Sequence, residues 1–139
     1  MLTWNVGVNP SCVLCSHPME TRNHLFFECI YSAMIWKALV QGLLGRKYST
    51  DWQAIVSIIS DSNQPRIFLF LARYAFQATI HSIWKERNAR RHGEQPISPN
   101  LLAVLIDKMI RNRVSSIRML GDRTYEEALH TWFAARQNT

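Results

Sequence analysis

Cys12, Cys15 and Cys29 are the only cysteines in this 139-residue chain, and His24 stands between the second and the third. The spacing is C-x2-C-x8-H-x4-C. Thiolate sulfur and imidazole nitrogen are the donors that hold zinc tetrahedrally, and two cysteines two residues apart can point into one site from a tight turn. An odd cysteine count excludes a complete intrachain disulfide framework, and a reducing compartment would keep the first pair as thiols. The chemistry implied is coordination of one structural Zn2+. Catalytic zinc normally keeps a position open for water, whereas a Cys3His set fills all four.

His17 competes with His24 for the fourth position. It follows Cys15 by two residues and precedes Pro18, where reaching back to the same metal is awkward, so ligand spacing favours His24. Two explanations do without a metal. Cysteine packs well as a small hydrophobe, so three could be buried beside an unrelated histidine. That requires four residues at usable ligand spacing, with no cysteine left over, by coincidence. A thioredoxin-like redox pair requires a strand-turn-helix context that Cys12 lacks.

The elements that must position these residues are helical. Residues five apart lie about 140° from one another on a regular α-helix, so His24 and Cys29 cannot both face one metal from an uninterrupted one. A turn must part them, or a helix must begin close to Cys29. Phe26 and Phe27 are expected to cover the site and tie it to the core.

Beyond residue 30 the apolar spacing is that of helices. Met34, Ile35, Ala38, Leu39 and Leu43 line one side of the first, which Gly42 weakens and Gly45 ends. Thr50 and Gln53 form a capping-box pattern before the next. Pro65 suits the start of a long helix running to the basic run near Arg91, and Gly93 ends it. Ser98-Pro99 starts another helix, and Thr124 with Glu127 caps a short final one. Trp36, Trp84 and Trp132 fall at core spacing; Trp4 and Trp52 are left open.

The expected fold is mainly α: a small zinc-stapled CCHC module followed by a bundle of about five helices. The expected divisions are residues 1–45 for the zinc module, 46–92 for a helical extension, 93–100 for a linker and 101–139 for the C-terminal helices. Five glycines and five prolines are too few for a turn-rich β fold, and a hydrophobic fraction of 47% supports a core. Residues 67–84 are apolar enough to resemble a membrane span, but Arg73, Gln77, Thr79, His81 and Ser82 interrupt them. No secretory signal is visible at the N-terminus, so no membrane association is expected and the expected location is intracellular.

Charge indicates a class of partner. The net charge is +6, and arginine supplies 12 of the 16 basic residues. The balance is +1 over residues 1–60, +6 over 61–120 and −1 over 121–139. An arginine-rich second half is what a binder of RNA or DNA phosphates would carry, although any solvated surface also needs polar groups. Lys85, Arg87, Arg90 and Arg91 close the long helix and spread almost all round its axis. This end is expected to be solvated on several sides and is a candidate for nucleic-acid phosphate contact, although cations there also complement the helix dipole. Lys108, Arg111, Ser115 and Arg118 form a stripe opposite Leu102, Leu105, Met109 and Leu120. Such a stripe can track phosphates, which makes Lys108, Arg111 and Arg118 the second candidate group for nucleic-acid contact. Arg113 falls on the apolar side and is expected to snorkel or to pair with an acid. Nothing pairs a nucleophile with a base, no glycine loop cradles a phosphate, and the acids form no two-metal set, so no enzyme is expected.

The stretch CVLCSHPMETRNHLFFECIYSAMIW resembles the zinc-binding domain near the C-terminus of plant non-LTR (LINE-type) retrotransposon reverse-transcriptase polyproteins. The matching features are the C-x-L-C start, the Glu-Thr pair before the histidine, His-Leu-Phe-Phe, the last cysteine and the Ile-Trp that follows. SIWKERNARRH, residues 82–92, is similar to the segment after that domain. The resemblance implies zinc on Cys12, Cys15, His24 and Cys29, association with nucleic acid during target-primed reverse transcription, and a nuclear location. Family members carry more helix ahead of the first cysteine, and no Tyr-x-Asp-Asp polymerase motif is present here. The chain is thus expected to be a C-terminal fragment of such a polyprotein. The alternatives are a helical protein-interaction module whose apolar faces dock a partner, or a decayed remnant without function.

Overall fold

Ile30–Leu44 forms α1, the helix around which the others assemble. The computed structural model describes residues 11–15, 20–119 and 126–137. A wide helical turn, His24–Glu28, leads into α1, and a 3-10 turn, Gly45–Lys47, follows it. Then come α2 (Trp52–Ser60), α3 (Arg66–Arg91), α4 (Pro99–Met119) and α5 (Glu126–Gln137). There is no strand among the described residues, and the mainly α class expected from the sequence is the one observed. α1 packs against α3, α4 and α5, while α3 also meets α4, α2 and the wide turn.

One continuous core runs from Cys12 to Trp132. Its densest part is aromatic. Phe27 lies 5.1 Å from Trp36, 5.7 Å from Trp52 and 5.7 Å from Phe76, between ring centroids. Such clusters bury large areas, and their tilted and offset pairings suit the ring quadrupoles. Trp36 and Trp132 are core residues, as their spacing predicted, while Trp84 is only partly buried. Trp52 proves to be part of the aromatic cluster. Trp4 lies outside the described residues.

The helix ends follow local chemistry. α1 stops at Gly45, whose φ of +56° is costly for residues with a Cβ. α2 is capped by Asp51, whose carboxylate accepts from the Ala54 amide at 3.0 Å. The capping pair expected at Thr50 and Gln53 is therefore displaced by one residue. An ionised carboxylate is the stronger acceptor and suits the positive helix end. Ser98 accepts from the Leu101 amide at 3.2 Å and starts α4 as expected. The box at Thr124 and Glu127 lies outside the described residues.

Two helix faces differ from the periodicity reading. On α1, Met34 is 47% exposed, and Tyr31, Ser32, Trp36 and Val40 are buried instead. On α4 the buried set is Leu102, Ala103, Ile106, Ile110 and Val114, leaving Leu105 and Met109 exposed and Arg113 in solvent. The apolar residues of α4 extend round more of the helix than its neighbours cover, so periodicity could not locate the seam. Leu120 lies outside the described residues. The apolar run over residues 67–84 lies within α3, which buries Leu71, Ala72, Ala75, Thr79 and Ile83. No described helix is long and apolar enough to cross a membrane.

Candidate metal centre

Cys12 and Cys15 come from a tight turn over residues 13–15. The amides of Leu14 and Cys15 bond to the Cys12 sulfur, an arrangement that favours thiolate. Thr21 opens the second half of the site: its hydroxyl accepts from the His24 amide at 3.1 Å. The chain then passes through the wide turn, closed by the Cys29 amide donating to the His24 carbonyl at 2.6 Å. This i→i+5 bond makes a wider turn than the α-helical one. Residues five apart thereby come round to nearly the same side. That resolves the 140° conflict, and the resolution uses both expected routes, because α1 begins one residue after Cys29.

The four ligand atoms lie within 4.8 Å of one another. The Cys12 and Cys29 sulfurs are 3.9 Å apart, and Cys15 Sγ is 3.1 Å from His24 Nε2. Tetrahedral bonds of about 2.3 Å would put two sulfurs about 3.8 Å from one another, so the cluster has the size zinc requires. Cys12 and Cys29 are buried, while Cys15 and His24 are half-buried. Cys29 occupies the N-cap of α1, where the helix dipole favours a thiolate. Hydrogen bonding to Cys29, opposed by burial, holds Cys12 down to about 5. The same contact, reinforced by burial, pushes the Cys29 thiol up. Two sulfurs sharing a proton in a buried site are well suited to a divalent cation, which would displace that proton. The residues present fit a structural zinc, with no position left for a catalytic water. His17 lies outside the described residues.

Phe26 and Phe27 are both buried, and their ring contacts with Trp36, Trp52 and Phe76 tie this segment to the core, as expected. The Ser32 hydroxyl donates to the Leu25 carbonyl and fastens the wide turn to α1.

The basic end of α3 is placed differently from the expectation of a solvated patch. Lys85 is exposed, but Arg87 is only 4% exposed. Arg87 meets Glu20 Oε1 at 2.8 Å through both Nε and Nη2. Arg91 Nη2 lies 3.5 Å from Glu20 Oε2 and donates to the Ser11 carbonyl at 3.1 Å. Arg90 pairs with buried Glu86 at 2.7 Å and also donates to the Ile97 carbonyl. Tyr31 donates its hydroxyl to that same carbonyl at 2.7 Å, and burial, aided by the Glu86 charge, pushes its pKa up to about 12. These arginines are internal ties, engaged with the carboxylates of Glu20 and Glu86 and with backbone carbonyls. The segment over residues 93–98 is likewise held at Ile97, whose amide donates to Glu86 at 2.9 Å.

On α4, Lys108 is exposed. Arg111 is partly exposed, pairs with Asp107 at 3.0 Å and covers the Phe133 ring. Asp107 also accepts from Trp132 Nε1 at 2.6 Å, which locks α5 to α4. The Arg118 side chain lies outside the described part. Sequence reasoning missed Glu20 as a site residue. The available signal was an acid in the Glu-Thr pair ahead of His24, but its partners stand 67 and 71 residues further on.

Residues 1–36 match the family model described as zinc-binding in reverse transcriptase. No curated protein and no solved structure matches the chain.

Proposed function

Starting from a reverse-transcriptase zinc-binding domain at the N-terminus, we propose that the chain is a non-catalytic module of a non-LTR retrotransposon polyprotein that holds RNA or DNA by phosphate contacts. The observation that carries this reading is the closed Cys3His set fused directly to a helical body of net charge +6. The metal shapes the fold and leaves chemistry to other domains. Exposed cations, Lys85 and Lys108 among them, supply phosphate affinity, with Arg111 contributing from its partly exposed position. A nuclear location follows from that role.

Fluorescence anisotropy on a single-stranded RNA at rising salt tests the proposal. The zinc-loaded protein is expected to bind with a log–log salt slope of about −0.7 for each phosphate contact. Lys85→Glu with Lys108→Glu should weaken binding and flatten that slope. Binding absent at low salt, or indifferent to salt, refutes it.

A second reading has one observation in its favour. Leu101, Val104, Leu105 and Met109 form an exposed apolar strip on α4, which suits a protein partner. Under that reading the same charge reversals leave partner binding intact.

A further inference from the structure

We propose that Glu20, Arg87 and Arg91 form a positioning clamp for the metal centre, through which the end of α3 sets how tightly the N-terminal cysteine turn holds zinc. The inference rests on the zinc reading of the four ligands. None of those ligands belongs to α3, yet α3 grips the chain on either side of the first ligand pair. Arg91 holds the carbonyl of Ser11, the residue directly before Cys12. Arg87 and Arg91 together hold Glu20, four residues before His24. Cys12 and Cys15 lie between these two anchor points.

Burial makes the grip specific. Glu20 and Arg87 are each 4% exposed, and charges withdrawn from water are tolerated only where geometry pairs them well. Arg87 is itself fixed, with its guanidinium 4.8 Å from the Trp84 ring centroid and its Nη1 donating to the Asn88 side chain at 2.9 Å. The clamp therefore presents a preset surface against which the turn settles before the metal arrives. Groups that orient ligands from outside the coordination sphere commonly govern metal affinity. The metal module is accordingly discontinuous: it comprises the cysteine turn, the wide turn and the last two turns of α3.

The test uses the full chain. Zinc affinity is measured by competition with a chromophoric chelator, and site geometry by the visible spectrum of the Co2+ form. Glu20→Gln and Arg91→Met are each expected to weaken zinc binding about 10- to 100-fold. Both should keep a tetrahedral Co2+ spectrum at saturation and the helical circular dichroism of the wild type. Arg91→Lys should fall between, because an ammonium keeps the positive charge near Glu20 but lacks the planar guanidinium whose Nη2 donates to the Ser11 carbonyl. Gly45→Ala, at the opposite end of α1 from Cys29, destabilises the fold without touching the clamp and should leave zinc affinity unchanged.

Unchanged affinity in Glu20→Gln and Arg91→Met overturns the proposal. So does an equal loss in Gly45→Ala, which would mean that affinity merely tracks stability. If Glu20→Gln fails to fold, Arg91→Met decides, since its side chain is the more peripheral of the pair. Wild-type protein that takes up no zinc overturns the underlying metal reading, and the clamp with it.

Discussion

Each of the four ligands is prepared by a different local device. Cys12 receives two backbone amides, Cys29 sits at the positive end of α1, and His24 is swung into place by an i→i+5 turn. Cys15 approaches the histidine nitrogen to 3.1 Å. Replacing any one should empty the site, and Cys29→Ser is the cleanest choice because it removes a buried sulfur with little change in volume. The wild type is expected to carry about one zinc per chain and the variant none, by metal analysis of purified protein. Protons should compete with the metal. The Cys29 thiol is pushed up, so it stays protonated without metal and must lose its proton on binding. Lowering the pH therefore weakens zinc affinity and raising it strengthens it. Chelator competition at pH 6 and pH 7.5 checks the sign, and affinity that rises on acidification would contradict it. The ligands were legible in the sequence because coordination chemistry constrains residue type and spacing together. Glu20 was not, because an acid acquires its meaning from partners that the fold alone supplies.

At the scale of elements, ends were easier to read than faces. Gly45, Gly93, Pro65 and Ser98 mark boundaries because each acts through the backbone beside it. Gly45→Ala places a Cβ at φ +56° where nothing lies within 4 Å, so its cost is the backbone term alone. Destabilisation of about 1–3 kcal/mol is expected, read from the midpoint of urea unfolding. Faces depend on neighbours. α4 could bury either of two overlapping apolar stripes, and packing on α1 and α3 selected Leu102, Ile106 and Ile110. The basic end of α3 shows the same limit. Helical geometry spreads Lys85, Arg87, Arg90 and Arg91 round the axis, and only the docked cysteine segment and Ile97 turn three of them inward.

For the whole molecule, the core runs without a break from Cys12 to Trp132, and α1 contacts every other long helix. Metal binding and global folding should therefore be linked. Thermal unfolding is expected to be one transition, at a higher temperature with zinc than with a chelator present. Two separate transitions would show instead that the metal module unfolds by itself. The sequence alone determined the helical class, the ligand set and the family resemblance, because these rest on periodicity, donor chemistry and spacing over short stretches. Only the tertiary structure decided which cations stay in solvent and which acid meets which arginine. Ion pairing is settled by contacts between residues some 70 positions apart, and no local pattern records such a distance.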